Sequence, residues 1–178
     1  MKRIYFVIPL FLCLITGCDS SIGPSSTLDE YFPLRVGNKW YYNSNYKDTN
    51  SINIIWEVGS LIEINGHQYY EIRQENFNNQ NVYSDTSYYR LSGDTLFYYH
   101  NNLQEQILAD FSLHLGDTTY WQNDLRVTEK TNRSIKFETP FSADYGYSIT
   151  FKRGIGITSI IQNGFIFNQL TLIKSELN

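Results

Sequence analysis

Sulfur is scarce in this sequence of 178 residues, which has one Met and two Cys, Cys13 and Cys18. The other soft donors are three histidines, His67, His100 and His114, and none has a second His or Cys at ligand spacing. A zinc site needs three or four converging ligands with local pairs, so no metal and no cofactor is expected. Positive charge is also short, with 14 Lys and Arg against 18 Asp and Glu. That balance lacks the clustered cations that phosphate contacts need and argues against a nucleic-acid partner. No apolar run reaches the ~18–20 residues of a membrane-spanning helix. No Gly-x-Ser-x-Gly elbow is present. Gly154-Ile155-Gly156 lacks the following helix of a phosphate loop.

What is there begins with an address. Met1-Lys2-Arg3 is basic, and Ile4 to Ile15 is an apolar run of 12 residues. That is the length of a secretory h-region rather than of a membrane span. Leu14-Ile15-Thr16-Gly17-Cys18 then resembles the lipobox of bacterial lipoproteins. The resemblance implies cleavage before Cys18, diacylglycerol on its thiol, and stable attachment through several acyl chains. Cys13 would leave with residues 1–17, and Cys18 would become the anchor. The mature domain then has no free thiol or disulfide. It keeps 12 basic and 18 acidic residues, a charge of −6. Residues 18–30 hold a Ser-, Gly- and Pro-rich stretch that reads as a flexible tether, and residues 31–178 read as one domain. The Asn- and Tyr-rich composition points to Bacteroidota and, with the anchor, to the outer membrane.

The domain reads as strands throughout. Period-2 alternation places Ile52, Ile54, Trp56 and Val58 on one face, and likewise Ile135 with Phe137, and Tyr147 with Ile149 and Phe151. Asn65-Gly66 and Asn163-Gly164 suit two-residue hairpins, and Gly93-Asp94 and Gly116-Asp117 are further turns. The expectation is an all-β antiparallel meander of roughly eight to ten strands, curled into a barrel or a two-sheet sandwich. Gln106 to Leu115 fits either a strand or a short helix, and a strand followed by an irregular turn is preferred.

Aromatic side chains make up 16% of the residues, and 15 of them are Tyr. Four doublets stand out: Tyr41-Tyr42, Tyr69-Tyr70, Tyr88-Tyr89 and Tyr98-Tyr99. Adjacent strand residues face opposite ways, so each doublet sends one ring inward and one outward. Tyr41, Tyr69, Tyr88 and Tyr99 are assigned outward. They form either ordinary cross-strand packing or an aromatic surface for a glycan, peptide or protein.

Tyr31-Phe32-Pro33-Leu34-Arg35-Val36-Gly37-Asn38-Lys39-Trp40-Tyr41-Tyr42 resembles the YFPLxxGNxWxY opening of secreted bacterial proteins common in Bacteroidota. Asp110 to Thr118 and Arg153-Gly154-Ile155-Gly156-Ile157 are similar to the same group. The resemblance implies a β-rich domain outside the cytoplasm and supplies no catalytic residues. Physically, Pro33 presets the entry to the first strand, Gly37-Asn38 allows a tight turn, and Trp40 and Tyr42 share a face that can close one end of the core. The two glycines around Ile155 suit a bend or bulge.

These readings make the chain a lipid-anchored envelope protein whose domain binds a partner rather than performing catalysis. One alternative is a carrier of an apolar ligand in a β cavity. The other is an enzyme acting on glycans or peptides, which would need carboxylates such as Glu57, Glu71 and Glu138, or the histidines, to converge.

Overall fold

A computed structural model describes residues 30–44, 51–78, 81–99, 104–119, 124–139, 146–163 and 168–178. The signal segment, Cys18, most of the tether, His100 and Gly164 lie outside the described residues.

Eleven strands form one antiparallel sheet: β1 (Lys39–Asn43), β2 (Ile54–Ile64), β3 (His67–Asn78), β4 (Asn81–Ser92), β5 (Thr95–Tyr99), β6 (Gln106–Asp110), β7 (Arg126–Lys130), β8 (Ser134–Glu138), β9 (Gly146–Lys152), β10 (Gly156–Asn163) and β11 (Asn168–Glu176). Their order across the sheet is β6-β5-β4-β3-β2-β1-β11-β10-β9-β8-β7. The meander thus runs outward from the middle in both directions, and β1 against β11 joins the two halves. The sheet curls around its own core but does not close, so β6 and β7 remain its edges. The all-β antiparallel expectation holds, with one strand more than the upper end of the anticipated number and a single sheet in place of two.

Turn chemistry sets the register. Asn65 and Gly66 both adopt positive φ, 52° and 80°, and pair Ile64 directly with His67. That is the two-residue hairpin that Asn-Gly favours. Gln106 to Asp110 is a strand, and an irregular turn follows to Gly116, as preferred from sequence. In β10 the chain leaves the Gly154–Gly156 bend and bulges between Ile157 and Ser159.

The concave face carries the core. Trp40, Tyr42, Val58, Ile72, Leu96, Val127, Ile135, Phe137, Ile149, Phe151 and Ile157 are all buried there. One end of the curl is stopped by the Tyr31–Leu34 segment. Phe32 is fully buried, stacked on Trp40 with centroids 5.2 Å apart, and meets Tyr89 and Phe151 edge-on at 5.6 and 6.3 Å. Tyr31 stacks on Phe111 at 5.0 Å. Each such ring contributes roughly 1.5–3 kcal/mol through burial alone. The turn after the plug is fixed by Asn38, also fully buried. Its amide donates to the Pro33 carbonyl at 2.7 Å, and its side-chain oxygen accepts from the Asn178 backbone N–H at 2.8 Å. Gly37 takes φ 89° beside it. Trp40 Nε1 donates to the Ile155 carbonyl at 2.5 Å, and Tyr42 donates to that of Ile157 at 3.0 Å. The motif at residues 31–42 is therefore structural: it seals one end of the curled sheet.

Candidate functional site

Two features lie away from the plug. The first is a half-open cavity of about 350 Å³ inside the curl. Trp56, Gln74, Tyr89, Tyr98, Gln106, Ile107, Leu108, Leu125, Tyr147, Ile149, Ile157 and Ile160 line it. The strand pairing explains why they meet. Tyr70 lies opposite Tyr89, and Tyr89 opposite Tyr98, which lies opposite Gln106, so these four share the concave face. Tyr147, Ile149 and Ile160 approach from β9 and β10 on the other side of the curl. Trp56, Tyr89, Leu125, Ile149 and Ile157 are buried and form the floor. Gln74, Tyr98, Gln106, Tyr147 and Ile160 are half-buried and form the rim.

Tyr89 belongs to both the plug and the cavity, so the two features are adjacent along the axis of the curl. Burial drives its hydroxyl far above the ordinary tyrosine range, and it stays neutral at any physiological pH. Tyr98 is raised too, by burial first and then by the negative charge of Asp85. Gln74 donates to Ser87 Oγ at 2.8 Å, which holds the amide at the wall. The volume falls at the small end of the range for ligand pockets, and the lining, apolar with a few polar groups, has their usual character.

The second feature is on the convex face. Arg90 and Glu105 form a two-point pair, Nε to Oε1 at 2.5 Å and Nη2 to Oε2 at 2.7 Å. The guanidinium lies 3.9 Å above the Phe97 ring and 5.7 Å from that of Tyr69. Tyr69 also donates its hydroxyl to Glu105. Burial opposes ionisation of Glu105, but the hydrogen bonds from Arg90 and Tyr69 outweigh it and hold the carboxyl below its usual range. Burial, followed by the bond to Glu105, raises Tyr69. Tyr99 lies 6.1 Å from Tyr69 and 6.3 Å from Tyr88, centroid to centroid.

The structure places the four outward tyrosines as follows. All four face the convex side. Tyr69, Tyr88 and Tyr99 gather in one cluster, but Tyr69 is only 2% exposed because Arg90, Glu105 and Tyr99 cover it. Tyr88 and Tyr99 are half-buried. Tyr41 stands apart on β1, under Lys174 and hydrogen-bonded to Glu176 at 2.8 Å. That bond, more than burial, raises its pKa.

The remaining polar candidates sit in separate places. His67 is exposed at the start of β3. His114 is exposed and faces Asp117 at 3.7 Å within one turn. Glu57, Glu71 and Glu138 each pair with a basic neighbour, Lys39, Arg73 and Lys136. Among the described residues no three His, Cys, Asp or Glu side chains gather as a metal site would require. The cavity residues were not singled out in the sequence. The available signal was polar Gln74 and Gln106 at inward strand positions, where a solvated pattern would not put them.

No family model matches the sequence, and no curated protein matches it. The fold is similar to a crystal structure described as that of a "putative exported protein with YmcC-like fold" from Bacteroides fragilis NCTC 9343. The TM-score is 0.55 at 13% identity, over 83% of this chain and 99% of that one. The likeness is one of fold: this chain has the same curled antiparallel architecture.

Proposed function

We propose that the chain is an exported protein of the cell envelope, held to a membrane by lipid on Cys18, whose β domain receives a small apolar molecule. The observation that carries the second half is the half-open cavity, with its floor of Trp56, Ile149 and Ile157 and its rim of glutamines and tyrosines. The first half is supported by the basic and apolar start of the sequence, its lipobox, and the description of the Bacteroides fragilis neighbour as exported. The outer membrane is the favoured location.

Ligand binding is tested with the wild type and Ile160→Trp, which fills the cavity from its half-buried rim. Native mass spectrometry should find a co-purified small molecule on the wild type, or calorimetry should detect added apolar probes. Ile160→Trp should abolish both while the far-UV spectrum stays unchanged. Equal binding by the two proteins would refute the cavity as the site. For the anchor, metabolic labelling with an alkynyl palmitate should mark the wild type and not Cys18→Ala.

A second reading has its own observation, the convergence of Tyr88 and Tyr99 over the Arg90–Glu105 pair. It makes the convex face a contact for an envelope protein or glycan. Crosslinking in cells should then capture a partner that the double variant Tyr88→Ser with Tyr99→Ser loses.

A further inference from the structure

The charge pattern of the cavity narrows its ligand, an inference that rests on the reading that the cavity receives a small apolar molecule. None of the residues lining it is charged. The carboxylate of Asp85 stands at its rim: Asp85 lies directly opposite Gln74 in the β3–β4 register, so the two share the concave face with Cβ atoms roughly 5 Å apart. Tyr98 senses that carboxylate, and so, more weakly, does Tyr89. Four aromatic side chains, Trp56, Tyr89, Tyr98 and Tyr147, supply electron-rich ring faces around the same space.

A ligand with a carboxylate or phosphate head would enter against Asp85 and find no cation in the lining. A neutral head would find only the rim amides and hydroxyls. A cationic head would gain from both the ring faces and the carboxylate. We propose that the cavity selects small amphiphiles with an ammonium head, the head at the Asp85–Gln74–Tyr98 rim and the apolar body against Trp56, Ile149 and Ile157.

Calorimetry on the full, lipid-anchored chain, against a detergent blank, tests this with three probes of one shape: phenylbutylamine, phenylbutanol and phenylbutyrate. The amine should bind roughly tenfold more tightly than the butyrate, with the alcohol between them. Asp85→Asn, an exposed position whose replacement leaves the core intact, should bring the amine close to the alcohol. Butyrate binding as well as the amine would overturn the proposal, as would an amine preference that survives Asp85→Asn. Three probes that bind equally but are excluded by Ile160→Trp would overturn the charge selection and leave the cavity reading standing. Binding by none of them, with no co-purified molecule on the wild type, would remove both. Tetramethylammonium, which has the head without the body, should bind much more weakly than the amine; equal binding would refute the role given to the floor.

Discussion

Phe32→Ala is the sharpest test of how this fold holds together. Phe32 is wholly buried, stacked on Trp40 and edge-on to Tyr89 and Phe151, at the closed end of the curl. Truncation removes the ring and leaves a void among three other aromatic side chains. Those neighbours are pinned: Trp40 is bonded to the Ile155 carbonyl, and Phe151 is also packed edge-on against Phe111 and Phe137. Collapse into the void is therefore limited, which puts the cost in the usual range of about 3–5 kcal/mol for a buried Phe. Against a total stability of roughly 5–15 kcal/mol this is a large fraction. In a chain of this size it lowers Tm by roughly 6–20 °C. Urea unfolding followed by Trp fluorescence should show a reduced midpoint with an unchanged slope, and Val36→Ala, at 59% exposure four residues away, should stay within about 0.5 kcal/mol of wild type. If Phe32→Ala cost less than about 1 kcal/mol, the segment would not be docked as described, and the role assigned to the YFPL motif would fall.

Further outcomes follow from the same geometry. Gly156 has φ 107°, and a Cβ there would come within 2.9 Å of Trp40 Nε1 and 3.3 Å of Phe32, whereas Gly93 has φ 58° with open space around it. Gly156→Ala should lower the urea midpoint well beyond Gly93→Ala, which should cost only about 1 kcal/mol for its conformation; similar losses would contradict the packing. Glu105 is held below its ordinary pKa in the fold, so its contribution is present above the unfolded value near 4.5 and is lost as pH falls through the folded value. Wild type should therefore exceed Glu105→Gln in stability at neutral pH and converge on it in acid, as measured by urea titrations across that range. Tyr42, Tyr69, Tyr89 and Tyr98 are raised above 10, mainly by burial, so their stabilisation is full below pH 10 and is lost as they ionise at higher pH. Phenolate absorbance should rise with a cooperative alkaline unfolding step rather than before it.

The sheet was legible where one face is buried and the other wet. Ile135 and Phe137 are fully buried while Lys136 between them pairs with Glu138, and that contrast produces the period-2 signal. It fades in β10, where every residue from Thr158 to Asn163 is half-covered, and Ile160 beside Ile161 gives no alternation. The tyrosine doublets gave the correct facing because neighbouring strand residues must diverge. Facing did not give exposure: Tyr69 points outward and is still covered, because Arg90 and Glu105 arrive from β4 and from just before β6. The pairing of β4, β5 and β6 that makes the cluster is non-local and leaves no mark in the local pattern. The cavity was illegible for a related reason. It is space left between two halves of a curled sheet, and its volume depends on how far the halves approach rather than on any one strand.

The position of the plug also decides how the domain meets a pull. A membrane drawing on the chain upstream of Glu30 loads the Arg153–Glu30 ion pair first, then Phe32, then β1. That strand is the middle of the sheet, laddered to β2 on one side and β11 on the other. An edge strand can be peeled one hydrogen bond at a time, but β1 can leave only by shearing two ladders together and drawing an aromatic ring out of its socket. Force applied through the leash is therefore resisted by the strongest part of the fold, while the cavity and the two free edges carry little of the load.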